Sequence, residues 1–448
     1  MNWFQPALDR LRGLPHDPDS RVRQFFSPNR TLHIARAPGR LDVMGGIADY
    51  SGARVLELPL ACATTALVQP QRERHCHIAT RRAGQWDYFS IALPLAGPAE
   101  LAAWFRAHPD ERWAGYVVGV VQAVLARNNA GGGLRILIDS SVPEGRGVAS
   151  SAALEVAVAL AVAAASHVDI NATDVAALCQ RVENHVVGAP CGIMDQMTSA
   201  CGTEDHLLQL HCQPGTIERH VLVPRGYRFY GIDSGISHAV SGADYGIVRT
   251  AAFMGLRILT TDTPWRGAYL SDLTPQKFRQ VASLLPDEMP GAQFLERYGG
   301  ITDTATVVRP ERRYPVRRAA EHPVGEQARV DRFAALLDCL EQTPDAAIEL
   351  GELMYAAHES YSRCGLGSDG TDRLVQLVRS VGVERGLFGA KITGGGSGGT
   401  VAVLGTAAAE PSVRELARQY AAESGRDARV FIESGPGAAE VAVLSAKP

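Results

Sequence analysis

The chain has 448 residues, a formal net charge of −4, and 46% hydrophobic and 21% charged residues, the balance of a globular protein long enough for two or three domains. Only Lys277, Lys391 and Lys447 are lysines and none follows a glycine, which excludes a G-x-x-x-x-G-K-[ST] phosphate loop. No V-A-I-K strand or H-R-D loop marks a protein kinase, and no basic block marks a nucleic-acid surface.

The first third predicts strands over 31–37, 53–60, 64–69, 76–80 and 88–93, where β-branched and aromatic residues lie between turn signals. On the fourth, alternation puts His75 and His77 on one face and Cys76 on the other, against a metal cluster there. A helix over 111–127, a glycine turn at 131–133 and a strand over 134–139 follow. Helices are expected over 149–166, 172–187 and 193–201, then strands over 207–210 and 227–233. From 241 to about 381 the pattern is largely helical, with 308–316 an ordered surface loop. Strands over 388–393 and 400–404, a helix over 411–423 and strands over 429–432 and 440–444 complete the chain. This order reads as α+β in two halves, 1–220 and 221–448.

None of the eight cysteines forms a C-x-x-C pair, so zinc ribbons and thioredoxin-like motifs are not expected. The N-terminal residues lack a basic region followed by an apolar run. The most apolar run, 152–165, carries Glu155 and is too short to span a bilayer. A cytoplasmic protein with reduced thiols and no membrane partner is expected.

Four segments carry the chemistry. Ser140-Ser-Val-Pro-Glu-Gly-Arg-Gly-Val-Ala-Ser-Ser-Ala-Ala-Leu-Glu155 reads strand, glycine turn, helix. Gly145 and Gly147 permit close backbone approach, and a helix opening at Ser150 and Ser151 favours an anion; plain capping by the serines fits equally well. Thr393-Gly-Gly-Gly-Ser-Gly-Gly-Thr400 satisfies G-x-G-x-x-G only formally. A strand follows instead of a helix, so a dinucleotide site fails on context, and the run suits backbone pressed against another loop or a phosphate. Lys391, just before it, fits either a phosphate contact or a structural role. In Glu183-Asn-His-Val-Val-Gly-Ala-Pro-Cys-Gly-Ile-Met-Asp195-Gln, Asp195 is a helix-start residue or a carboxylate placed to take a hydroxyl proton. In Arg36-Ala-Pro-Gly-Arg-Leu-Asp-Val-Met-Gly-Gly-Ile-Ala-Asp-Tyr50, Arg40 projects from a turn, and Asp42 and Asp49 are polar residues in apolar surroundings. Tyr355 to Tyr361, a cluster with His358 and Glu359, either reaches the site or packs a helix, and its spacing favours packing.

These segments together resemble the GHMP small-molecule kinases, named for galactokinase, homoserine kinase, mevalonate kinase and phosphomevalonate kinase. The phosphate loop matches P-x-G-x-G-[LV]-x-S-S-A-A as Pro143–Ala153. APGR-x(8)-DY, RWAGYVVGV, CQRVENH-x(5)-CGIMDQ and HAVSGADYGIVR point to the galactokinase branch. GRLDVMGGIADYSG and SYSRCGLGSDGTDRLV are similar to the kinase region of plant L-arabinokinases.

The resemblance implies an α+β two-domain GHMP kinase fold: an N-terminal ribosomal-protein-S5-like α/β domain and a C-terminal ferredoxin-like domain. It implies Asp195 as catalytic aspartate, Arg40 as its charge-stabilising partner, and Ser151 and Glu183 as Mg²⁺ ligands. Trp113, Gly145, Gly147, Ser150, Ser151 and Ala152 would bind ATP, and Asp42, Gly46, Asp49, Gly192 and Tyr245 the sugar. Where galactokinases read GEHTDY, this chain reads Gly45-Gly-Ile-Ala-Asp-Tyr50. The glutamate that reaches the C6 hydroxyl in galactokinase becomes Gly46, and Ile47 makes the corner more apolar. Losing a hydroxyl's partner suits a pentose such as L-arabinose, while the room left by Gly46 would also admit a uronic acid. The expectation is an ATP- and Mg²⁺-dependent L-arabinose 1-kinase, monomeric or homodimeric, with a small neutral sugar and ATP as its partners. A galactokinase, a uronic-acid 1-kinase and a non-catalytic sugar sensor are the alternatives.

Overall fold

Two long strands organise the first sheet of a computed structural model that describes residues 3–82, 84–128, 132–237 and 243–448. Residue 131 of the expected glycine turn and residues 238–242 of the HAVSGADYGIVR motif lie outside that description. β1 (Leu32–Met44) and β2 (Arg54–Gln71) pair antiparallel from His33↔Val68 to Met44↔Leu56, with register shifts at Pro38/Arg40 and Asp42/Met44. The expected turn carrying Arg40 is therefore an irregularity within a continuous strand. Pro38 has no N–H to give a ladder, and such irregularities re-aim side chains beside active sites. The two strands expected over 53–60 and 64–69 are likewise one.

The sheet continues with β3 (His75–Arg82), β4 (Gln85–Ala92), β5 (Gly133–Ser140), β6 (His206–His211) and β7 (Thr216–Leu222). β5 lies between β2 and β3, β4 on the far edge, and β6 pairs both β2 and β7. Cys76 turns inward and is buried, while the His75 and His77 rings stack 5.8 Å apart on the other face.

The helices Arg112–Leu125, Ser150–Ala165, Ala172–Val182 and Met194–Cys201 build the core against this sheet. Ser150–Ala165 is apolar nearly all round, as a helix enclosed by sheet and helices must be.

A second sheet has the order β11 (Leu387–Ile392), β12 (Thr400–Thr406), β8 (Tyr227–Asp233), β13 (Val430–Phe431). The helices Ala346–Arg363, Asp369–Val381 and Glu410–Ser424 pack on it. A further core joins the helices Ala243–Asp262 and Val316–Cys339. There the ribbon β9 (Met289–Pro290) and β10 (Arg313–Tyr314) interrupts the expected helical run. Tyr314 is buried, so the expected surface loop over 308–316 is partly strand and partly core.

After β13 the chain returns to the first sheet. Ser434 bridges Leu60, and β14 (Leu444–Ala446) pairs with β1, later than the strand expected over 440–444. No helix among the described residues is long and apolar enough to cross a membrane.

Candidate active site

The phosphate-loop segment leaves β5 and enters the helix Ser150–Ala165 through Gly145 (φ 68°), Gly147 (φ 69°) and Ala149 (φ 59°). Ala149 is the N-cap and makes no side-chain cap, so the serines do not serve as N-caps. A left-handed alanine is strained, and such strain is held where surrounding structure imposes it. The first helical N–H groups are left free for an anion.

The glycine loop lies against this segment, backbone on backbone. A Cβ on Gly394 would come 3.0 Å from the Gly147 carbonyl, and one on Gly399 would come 2.9 Å from the Arg146 carbonyl. The Thr400 hydroxyl donates to the Arg146 carbonyl at 2.8 Å. The loop is thus a hairpin backing the phosphate segment.

Arg40, 2% exposed, is the hub. Its Nε and Nη2 donate to Asp195 Oδ1 at 3.0 and 2.7 Å, and Nη1 donates to the Gly147 carbonyl at 2.7 Å. Glu57, fully buried on β2, lies 3.1 Å from Nε as an ion pair without an aligned hydrogen bond. Burial and the neighbouring Asp42 charge push the Glu57 carboxyl well up. Asp195 keeps 23% of its side chain exposed, enough to meet a ligand.

Asp42 is fully buried. Its Oδ2 accepts from Lys391 Nζ at 3.0 Å and from the Gly394 N–H at 3.1 Å, while its backbone N–H donates to the Thr393 hydroxyl. Lys391, also fully buried, therefore has a structural partner in this cluster. The Tyr361 hydroxyl lies 2.9 Å from the Gly394 carbonyl and 3.2 Å from Asp42 Oδ2. Tyr361 both packs the core and reaches the site, whereas Tyr355 packs under the Arg379 guanidinium.

A Cβ on Gly46 would overlap the Tyr361 hydroxyl and the Asp42 carboxylate. Gly46 leaves no room: the volume is already filled, which corrects the expectation of space for a uronic acid. The Gly45 N–H donates to Glu326 Oε1 at 3.0 Å, and His322 Nε2 lies 3.0 Å from the Gly46 carbonyl. Because a carbonyl only accepts, Nε2 carries the proton and Nδ1 accepts from Ser360. Burial lowers the pKa of His322 to about 4, so the ring is neutral. Ile47 is buried with φ 50°, a strained conformation for a β-branched residue.

Glu183 opens a π-helical turn, Glu183–Val187, at the end of the helix Ala172–Val182, a distortion frequent at functional sites. Burial and the Asp195 charge raise its pKa to about 7, and the Ser151 hydroxyl draws it down. Gln196 Nε2 donates to Glu183 Oε2 at 2.7 Å. Glu155, fully buried beside Glu183 and Gln196, has no aligned partner for either oxygen. A carboxylate pair with too few donors fits a nearby cation. Among the described residues no group of three or more His, Cys, Asp or Glu would hold one alone, so Ser151 and Glu183 would share it with phosphate oxygens. Trp113, on the first turn of Arg112–Leu125, is partly exposed.

Asp49 and Gly192 meet closely: a Cβ on Gly192 would overlap the Asp49 carboxylate. Burial and the Asp195 charge raise the Asp49 pKa to about 6. Tyr245 stacks edge-on to Tyr50, ring centroids 5.8 Å apart. Cavities of about 580 Å³ and 520 Å³ elsewhere on the surface are lined by none of the sequence-predicted site residues.

The structure thus joins Arg40, Asp195, the phosphate segment, Asp42 and the glycine loop in one contact network, with Asp49 against Gly192. Sequence reading missed Glu57, His322, Glu326 and Arg249, and gave Glu155 no site role. The one local signal was a charge inside an apolar strand or helix, as in Leu56-Glu-Leu58.

A strand, a glycine turn and a helix N-terminus thus lie beside an arginine-held carboxylate. Residues 115–203 match the GHMP kinases N terminal domain and residues 336–422 the GHMP kinases C terminal domain. The chain thus carries segments that match both domains of the GHMP kinases. It is 38% identical to an L-arabinokinase from Arabidopsis thaliana, over 94% of this chain and 47% of that protein. The chain therefore spans about half the length of that curated relative. Among solved structures, Lactococcus lactis galactokinase complexed with galactose aligns with a TM-score of 0.74 and 19% identity over 99% of both chains. Methanococcus jannaschii mevalonate kinase aligns at 0.57 and 16% identity, over 90% of this chain and 97% of that one. At these identities the structural likeness shows the fold.

Proposed function

We propose that the protein is an ATP- and Mg²⁺-dependent sugar 1-kinase whose substrate is L-arabinose. The observation that carries the reading is Arg40, which bonds the Asp195 carboxylate and the phosphate-loop Gly147 carbonyl at once. One fixed guanidinium then sets the distance between the group that receives the hydroxyl proton and the backbone that receives the phosphates. Positioning and charge neutralisation are the main sources of catalysis in phosphoryl transfer.

Asp195 accepts the anomeric hydroxyl proton. Arg40 stays protonated at any working pH, so it orients Asp195 and balances its charge without acting as a base. The amides after Ala149 would bind phosphate oxygens, and the partly exposed Trp113 would offer its ring to the adenine. Mg²⁺ held by Ser151 and Glu183 would neutralise charge on the transferring phosphoryl group.

Asp49, Gly192 and Tyr245 would contact the sugar. Asp42 and Gly46, buried in the Lys391–Tyr361 cluster, shape the pocket wall from behind. L-arabinose is supported by the likeness to the plant L-arabinokinase. Release of ADP by the protein with L-arabinose, D-galactose, D-galacturonate and D-glucuronate tests the reading. L-arabinose is expected to be preferred, and a clear preference for D-galactose would reassign the protein as a galactokinase.

A further inference from the structure

Among the described residues, the buried cations Arg40, Lys391 and Arg249 are each matched by a carboxylate. Arg40 holds Asp195 and Glu57, and Lys391 holds Asp42. The third is Arg249, one turn after Tyr245 on the helix Ala243–Asp262. Its guanidinium carbon lies 5.4 Å from the centre of the Tyr50 ring, the ring that meets Tyr245 edge-on. The Arg249 charge also offsets part of the rise that burial imposes on the Asp49 carboxyl.

Arg249 Nε and Nη2 donate to the two oxygens of Asp303 at 2.8 and 2.7 Å. Asp303 comes from a segment 54 residues further along the chain and is itself fixed by Thr306 Oγ1 at 2.6 Å and the Ala305 N–H at 3.2 Å. Both members of the pair are buried. Arg249 Nη1 is buried with no hydrogen-bond partner, an unsatisfied donor of the kind native interiors rarely keep. Asp49, one residue before Tyr50, has no ion-pair partner within 4 Å among the described residues.

Two consequences follow from this inventory. A sugar carboxylate entering beside Asp49 would meet a like charge and no unpaired cation among the described residues. A sugar hydroxyl or ring oxygen would need only the spare N–H, because a fully paired guanidinium still donates from its remaining nitrogen.

We propose that Asp303 is a specificity-determining residue: by occupying two nitrogens of Arg249 it cancels the guanidinium behind Asp49 and Tyr245, so the site takes a neutral sugar and rejects a uronic acid. Asp303 acts through Arg249 and is a positioning residue. The proposal rests on the sugar-kinase reading above and narrows its substrate to uncharged sugars. A pocket that leaves buried polar groups or charges unmatched by the wrong ligand discriminates strongly.

The test is ADP release with L-arabinose, D-galactose and D-galacturonate by the wild type, Asp303→Asn, and the double variant Arg249→Gln/Asp303→Asn. The wild type is expected to favour its best neutral sugar over D-galacturonate by at least about 100-fold in kcat/KM. Asp303→Asn, which keeps the shape and unmasks the Arg249 charge, is expected to narrow that ratio by about tenfold or more. The double variant, with no charge on either side, is expected to restore the exclusion. An unchanged ratio in Asp303→Asn, or equal narrowing in the double variant, overturns the proposal. If Asp303→Asn does not fold, the wild type decides: D-galacturonate that competes with the neutral sugar at similar concentration overturns it, and failure to compete supports it. If no sugar elicits ADP release from the wild type, the kinase reading itself falls and takes this proposal with it.

Discussion

Arg40 gives two of its N–H groups to a single oxygen of Asp195, at 3.0 and 2.7 Å, while its third nitrogen holds the Gly147 carbonyl. The other Asp195 oxygen takes no hydrogen bond from Arg40, and a rigid planar fork fixes which way it points. Asp195→Asn is expected to lower kcat by about 10²–10⁴-fold while ATP binding, followed by calorimetry, stays intact. Near-normal turnover would remove Asp195 from the base role.

Arg40→Lys is expected to lower kcat as well. An ammonium on a flexible stem cannot reproduce the fork that reaches Asp195 and Gly147 together. Steady-state kinetics with saturating ATP should show the loss in kcat, and a variant with full kcat would contradict the hub role.

Position 46 yields a prediction opposite to a simple swap of specificity. Because Tyr361 and Asp42 fill the space, Gly46→Ala is expected to cost about 1–3 kcal/mol through overpacking. Gly46→Glu is expected to destabilise more, without conferring use of D-galactose. Thermal unfolding together with the sugar panel checks both, and a Gly46→Glu protein of normal stability that prefers galactose would refute the packing argument.

Lys391 and Asp42 form a buried ion pair. Lys391→Met leaves the carboxylate uncompensated in the interior and is expected to cost about 3–5 kcal/mol. Lys391→Met/Asp42→Asn should cost less than the sum of the single changes, because the pair is then uncharged. Denaturant unfolding of the four proteins measures the coupling.

Asp49 supplies a pH prediction. Its folded pKa of about 6 lies above the ordinary aspartate value of 3.8, with burial as the main cause. The unfolded chain therefore gives up its proton first as pH rises. The stability associated with the protonated carboxyl is complete below about pH 4 and is lost as pH climbs through 6. Asp49→Asn is expected to be more stable than the wild type at pH 8, by up to about 3 kcal/mol. The difference should vanish near pH 4, and sugar-dependent ADP release should fall. Unfolding curves at pH 4, 6 and 8 check the sign, and a gain that grew toward low pH would reverse the argument.

Much of this site was legible in one dimension. The glycines at 145 and 147, the serines that open the next helix, and the Asp195 segment are local patterns. Short-range backbone geometry alone tells a reader that an anion site and a placed carboxylate can form there. The near absence of lysine excluded the common phosphate loops by inspection. Strand ends were less legible, since Pro38 and Gly39 look like a turn and are instead an irregularity that the neighbouring strand carries through.

What tertiary structure alone decided is which distant groups meet. Lys391 could have faced a phosphate; it is buried on Asp42, 349 residues away. The 394–399 glycines could have cradled a ligand, and they back the Arg146–Gly147 segment instead. Gly46 suggested an empty corner, which a tyrosine from another helix fills. The reason is the same in each case. Local propensity is fixed by neighbours along the chain, whereas the partner of a buried charge or a missing side chain is set by register and packing between elements far apart in sequence.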